Sequence, residues 1–225
     1  MSWEIQSLLL VWGTLVGIDL VTVPQAMIAR PLVAGAVAGA LVGDLGTGLR
    51  IGVLFELLQH DILHLGAARY PEYGPATVGA VSAAHAASGA LGLGLGAVVG
   101  LLTGLLGGVS MTAVRRLNTR AVHRAAPALE AGDVNTLVRL HVTSLLRDGA
   151  RAACVTAIGL GLAAGVRWYL VGTLSTRGAI VVAAAAVGAA LAAGTAGVVR
   201  LVGRGPNLGW FAAGLLGGVA GAWLR

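Results

Sequence analysis

Glu56, His60 and His64 stand four residues apart, with Asp61 between the two imidazoles. On a helix that spacing lines all three along one face. Such a set supports more than one chemistry. Two imidazoles and a carboxylate can ligate a divalent transition ion, or carry protons, in a metal- or proton-coupled transporter. Carboxylates and imidazoles, with the amide of Gln25, can instead exchange hydrogen bonds with a hydroxyl-rich solute that must shed its water. A third reading is structural, with Glu56 paired to Arg50 or Arg69 to hold helices together. No cysteine and no second His-rich segment stands near to complete a metal site, so none is assigned. Asp44, Arg50, Arg69 and Glu72 belong to the same run, Gly43 to Glu72, inside otherwise oily chain. Ionisable groups at membrane depth are expensive and by default mark a working part.

The rest of the sequence explains why these groups stand out. Of 225 residues, 57% are hydrophobic and only 11% charged, against about a quarter charged in a soluble domain. Mean hydropathy is +0.87. Apolar stretches at 5–20, 75–114, 152–166, 178–199 and 206–224 approach or exceed the roughly 20 residues that cross a bilayer. The expected fold is therefore all-α: a polytopic membrane protein with re-entrant or broken helices and about seven to eight membrane segments. All 15 basic residues are arginine, which reads as codon bias. Arg115, Arg116, Arg120 and Arg124 sit together, as the positive-inside rule expects of a cytoplasmic segment. Nucleic acid is not an expected partner, because the basic cluster lacks the aromatic platforms that stack bases. The lone Cys154 cannot form an intrachain disulfide and is expected to be a small buried packing residue. The first apolar stretch follows Glu4 rather than a basic patch and contains Asp19, so it reads as a retained helix and not a cleavable signal.

The elements that must position the polar run are short. Pro24 and Pro31 bracket the end of the first helix, 32–42 is too short to span, and Gly43-Asp-Leu-Gly-Thr-Gly48 is a turn by composition. A second short apolar piece follows at 49–58, so the pair reads as a re-entrant hairpin or broken helix. Between Leu49 and Leu65, ten strongly apolar residues favour insertion by roughly 3 to 6 kcal/mol, while Arg50, Glu56 and Asp61 oppose it by roughly 8 to 10. The segment must pack against other helices or line a polar chamber, not face lipid. Gly35, Gly39 and Gly43, also four apart, are expected on one face where small residues let backbones approach. A bend is expected near 85–89. The whole chain, 1–225, is taken as one membrane-embedded unit. It comprises an N-terminal part (1–114) with the substrate hairpin, a cytoplasmic basic loop and amphipathic segment (115–151), and C-terminal helices (152–225). No phosphate-binding loop or nucleophile elbow is present, and no catalytic residue and no cofactor is expected.

Arg30-Pro-Leu-Val-Ala-Gly35, Leu41-Val-Gly-Asp-Leu-Gly-Thr-Gly48, Gly52-Val-Leu-Phe-Glu56 and Leu65-Gly-Ala-Ala68 with Pro71-Glu72 occur in that order. With Gly132-Asp-Val-Asn-Thr-Leu-Val-Arg-Leu-His141 and Arg151 they resemble the IIC subunit of the mannose/fructose/sorbose phosphotransferase family over most of the chain. The resemblance implies a multi-pass protein of the bacterial inner membrane that forms the path for a sugar. It implies a membrane IID partner, cytoplasmic IIB and IIA phosphocarriers, and a homo-oligomer within the IIC–IID complex, in the lipid bilayer. Phosphoryl transfer would occur on IIB, with no phosphorylated residue on this chain. The substrate-binding residues are then Gln25 and Glu56 by motif position, with His64 and Glu72 at further positions of the pattern, and Asp61 in support from its place in the polar run. His64 stands where the family has an asparagine, and Glu72 where an aspartate follows the proline. The chain is expected to stop about one hydrophobic segment short of its relatives, so a degenerate or regulatory family member is the alternative within this resemblance.

Overall fold

A computed structural model describes residues 1–60, 62, 69–202, 209–210, 213–214 and 216. Among them the chain forms seven helices: α1 (Trp3–Asp19), α2 (Pro31–Leu41), α3 (Leu45–Gln59), α4 (Tyr73–Ala84), α5 (Gly89–Glu130), α6 (Val134–Tyr169) and α7 (Thr176–Val202). The helix ends follow local chemistry. Ser2 caps α1 by accepting from the Ile5 N–H, and Pro31 opens α2 at a position that needs no amide proton. Asp44 caps α3 by accepting from the Thr47 N–H at 3.0 Å. Asp133 caps α6 through the N–H groups of Asn135 and Thr136.

The expected hairpin is α2 and α3, joined by a tight turn. Its two helices meet backbone to backbone. A Cβ placed on Gly39 would lie 2.8 Å from the Gly48 Cα, and one on Gly35 would lie 2.6 Å from the Gly48 carbonyl oxygen. Gly43 departs from the expected stripe. It has φ +75° and nothing near its missing Cβ, so it serves the turn that ends α2 and not the packing.

α4 is the centre of the bundle. All twelve of its residues are buried, and α1, α2, α3, α5 and α6 pack around it. α7 lies against α5 and α3. The expected bend falls between α4 and α5. On α5, Gly92, Gly96, Gly100, Gly104 and Gly108 recur every fourth residue and face α4 and the chain on either side of it, with Ile51 and Phe55 of α3 also reaching Gly96 and Gly100. A Cβ on Gly96 would meet the Ala80 carbonyl oxygen at 2.8 Å, and one on Gly104 the Tyr73 ring at 3.2 Å. Close approach of this kind is how helices associate where water exclusion gives no driving force.

Three helices among the described residues are long and apolar enough to cross a membrane: α5, α6 and residues 177–196 of α7. α5 has 42 residues, so at about 1.5 Å per residue it is roughly twice as long as a 30 Å hydrocarbon layer is thick. The apolar first part of α5 spans, and its arginine-rich part continues beyond. The basic segment is thus helix, not loop. Residues 115–126 contain no glycine or proline and are rich in Arg and Ala, both good helix formers. Past a turn at 131–133, the amphipathic stretch likewise runs from Val134 without a break into the apolar part of α6. Cys154 is exposed on α6 rather than buried. A small apolar thiol on an outward membrane face meets hydrocarbon, so it has no need of the core. Most of the last expected span, 206–224, lies outside the described residues.

Candidate functional site

The polar groups near the hairpin are organised by the chain between α1 and α2. Asp19, at the end of α1, is buried, and its carboxylate accepts from the Ala26 N–H at 2.6 Å and the Ala29 N–H at 3.0 Å. Those two bonds fold the connecting segment back on α1. Within the fold, Gln25 and Met27 adopt φ values of +59° and +62°. Non-glycine residues in this region cost on the order of 1 to 3 kcal/mol each, and they persist only where surrounding contacts hold them. Here the Asp19 clamp is that contact. The strained turn presents Gln25 to a cavity of about 370 Å³, a size typical of small-molecule sites. Asp19, Arg30 and Gln59 join Gln25 in its lining, with Leu20, Met27 and Ala29 as the apolar part.

Glu56 stands behind this lining. Its Oε1 pairs with the Arg30 guanidinium, and its Oε2 accepts from the Leu32 N–H at 3.1 Å. The second bond satisfies one of the free amides at the start of α2 and places a negative charge at that helix N-terminus. Gln59, one turn further along α3, reaches the cavity directly. The arrangement offers a guanidinium, two carboxamides and a carboxylate around one hollow. It can donate to and accept from several hydroxyls at once.

Of the residues expected from sequence, the structure gathers Gln25 and Glu56 around Arg30. Asp61 and His64 lie outside the described residues. Glu72 is elsewhere. It is completely buried at the start of α4, where its Oε1 accepts from Arg151 Nη2 at 3.0 Å and its Oε2 pairs with Arg151 Nη1. Arg151 also donates to Asp148 at 2.7 Å and to the Gly17 carbonyl oxygen at 3.0 Å, and Thr22 donates to the other oxygen of Asp148. This cluster ties α1, α4 and α6 together and exposes no donor to the Gln25 cavity. His60 is exposed at the end of α3. Among the described residues no group of three His, Cys, Asp or Glu side chains could hold a metal ion. The metal reading needs His64, which lies outside them.

Sequence reasoning passed over Asp19, Arg30 and Gln59. Asp19 carried a signal, a carboxylate ending an apolar helix just before a proline-bounded segment. Arg30 and Gln59 became informative only once α2 and α3 were paired.

A family description, PTS system sorbose-specific IIC component, matches residues 4–218. The chain is 28% identical over 151 residues to the fructose permease IIC component of Bacillus subtilis (strain 168), covering 67% of this chain and 55% of that protein. It is 27% identical over 136 residues to the mannose-specific EIIC component of Escherichia coli (strain K12), covering 60% of this chain and 50% of that protein. The chain thus spans about half the length of the curated relatives it matches. Among solved structures, one titled simply as a membrane protein superposes with a TM-score of 0.72 at 20% identity, covering 97% of this chain and 87% of that one. The cryo-EM structure of the mannose transporter ManYZ in complex with microcin E492 superposes with a TM-score of 0.56, also at 20% identity, with the same coverage. Both share this fold.

Proposed function

We propose, from the premise that this chain belongs to the family of sorbose-specific IIC components of the phosphotransferase system, that it carries a sugar across the bacterial inner membrane as the IIC subunit of a mannose/fructose/sorbose-type permease. The observation that carries the proposal is the polar hollow around Gln25 at the mouth of the α2–α3 hairpin. A sugar entering a membrane loses many water bonds at once. Gln25, Gln59 and Arg30 can replace them with donors and acceptors aimed from two stretches of chain, the α1–α2 connection and the end of α3. Glu56 acts by holding Arg30 in place, and Asp19 by holding the strained turn that carries Gln25. His64 is retained as a candidate by motif position, and Asp61 in support from its place in the polar run. Glu72 contributes to this site only by fixing α4, since both of its carboxylate oxygens are committed to Arg151.

The partners follow from the family. The relative found in the ManYZ complex points to a membrane IID subunit, and the sugar would be phosphorylated by a IIB protein supplied from IIA. The arginine-rich end of α5 marks the cytoplasmic side on which that hand-over would occur. The test is sugar uptake and phosphorylation by reconstituted IIC, IID and IIB. Arg30→Gln and Gln25→Ala should each lower uptake at least tenfold, and Glu56→Gln should act in the same direction by loosening Arg30. Wild-type uptake in all three variants would remove this cavity from the path.

A further inference from the structure

A second cavity, lined by apolar side chains with a cluster of polar ones among them, lies on the other side of the turn that follows α1. Leu20 lines the Gln25 cavity, whereas Val21 and Thr22 line this one, so the same short turn is the wall between them. Its volume is about 300 Å³. Thr22, Arg115, Asn118, His141, Ser144 and Asp148 supply its polar lining, from the end of α1, the start of the basic part of α5 and the facing turns of α6. Four of these groups, Thr22, Arg115, Asn118 and Asp148, are held by neighbours within the protein. Arg115 Nη2 donates to the Tyr70 hydroxyl at 2.6 Å, and its guanidinium lies 5.4 Å from the centre of the same ring. Arg147 donates to the Asn118 side-chain oxygen at 3.0 Å, which leaves the amide N–H2 as the free end of that carboxamide. Asp148 is held by Arg151 and Thr22.

The composition differs from that of the Gln25 cavity in its sign. Three arginines (Arg115, Arg147 and Arg151) stand in or directly behind it against two buried carboxylates, Asp148 and Glu72, so the surroundings are net cationic. It opens at the level where the basic part of α5 begins, on the cytoplasmic side by the positive-inside rule. The guanidinium of Arg115 and the imidazole of His141 suit a phosphate monoester, and the hydroxyl of Ser144 and the amide of Asn118 beside them suit sugar hydroxyls.

We propose that this cavity binds the phosphorylated sugar, the product, next to the cavity that binds the free sugar. The inference rests on the sugar-transport reading above. Arg115 and His141 contact the phosphate, and Ser144 and Asn118 contact the adjoining hydroxyls. The two cavities then divide the labour across one turn: neutral polyol on the Asp19 side, anionic product on the Asp148 side.

The test is equilibrium binding to the purified full chain in lipid nanodiscs. The probes are mannose, fructose, mannose 6-phosphate, fructose 6-phosphate and inorganic phosphate. A sugar phosphate should bind, at least tenfold more weakly in Arg115→Gln and in His141→Asn, and unchanged in Arg30→Gln. The free sugar should show the opposite pattern. His141→Asn carries the test if loss of the Tyr70 contact unfolds Arg115→Gln. Free-sugar binding that Arg30→Gln weakens, with no sugar-phosphate binding, overturns this inference and leaves the transport reading intact. Inorganic phosphate binding as tightly as the sugar phosphates, with the same sensitivity to the variants, overturns the product assignment in favour of a plain anion site. Failure of both sugars and both phosphates to bind overturns the two readings together.

Discussion

The Glu72–Arg151 pair and the Gln25–Arg30 cavity use the same residue types and flank the same stretch of chain after α1, yet one is sealed and the other open. In the sealed pair Glu72 has no exposed surface and the Arg151 side chain only 3%. Arg151 commits four of its five N–H donors to two carboxylates and a main-chain carbonyl, and its burial keeps a solute from the fifth. In the cavity the Arg30 side chain keeps 55% of its surface although Glu56 pairs with it. Charge at membrane depth is therefore not in itself a mark of function. What separates a brace from a site is whether the protein has already satisfied the group.

Breaking the brace should give the largest effect. Arg151→Met leaves Glu72 and Asp148 buried without their cation, and losing one partner of a buried pair costs about 3 to 5 kcal/mol. Thermal unfolding in detergent should show a large drop in midpoint, or no folded protein at all. The α2–α3 contact that frames the cavity comes next. Gly48→Ala puts a methyl group into the backbone of Gly39, and overpacking of this kind costs about 1 to 3 kcal/mol. The same unfolding assay reads it, and sugar binding should weaken in parallel.

Arg30→Gln should reverse the pattern seen at Arg151. An ion pair this exposed is worth about 1 kcal/mol or less to the fold, so the unfolding midpoint should hardly move while sugar affinity falls at least tenfold by titration. An equal loss of stability at both arginines would erase the distinction between brace and site. The smallest effect sharpens the contrast from outside the membrane. The side-chain and backbone bonds from Thr136, helped by Asn135 and Arg139, hold the Asp133 carboxyl below its ordinary value of 3.8. A lowered folded-state value means that the cap contributes fully above that ordinary value and loses its contribution as pH falls through the lowered one. Asp133→Asn caps without a charge, so a scan from about pH 7 to 3 should show a small acid-side decline in the parent that the variant lacks.

Much of this architecture is legible in the residues themselves. Pro31, Gly43 and Asp44 announce a short helix, a turn and a second helix, and the structure has all three. The break before Gly89 is equally local. What is not legible is any pairing across long separations. Nothing near Glu72 in the chain points to Arg151, 79 residues away, so a carboxylate after a proline reads as a site residue. The basic stretch 115–124 reads as a loop because charge follows long apolar chain, whereas helix propensity carries α5 straight through it. Gln25 and Glu56 were legible as polar groups in an apolar setting. The cavity between them was not, because it depends on Asp19 bending the intervening chain.

The row of glycines along α5 has one more effect. Helices that interlock through bulky side chains have an axial register cut into their surfaces, like meshed gears. The face that α5 turns toward α4 is closer to a smooth rail, and a rail does not say how far along it the other helix should stand. That position must be set at the end of the track, where the Glu72 N–H donates to the Gly104 carbonyl oxygen at 2.9 Å and the Glu72 carboxylate meets Arg151. Glu72 is in this sense a stop, and the depth of α4 in the membrane is measured from it.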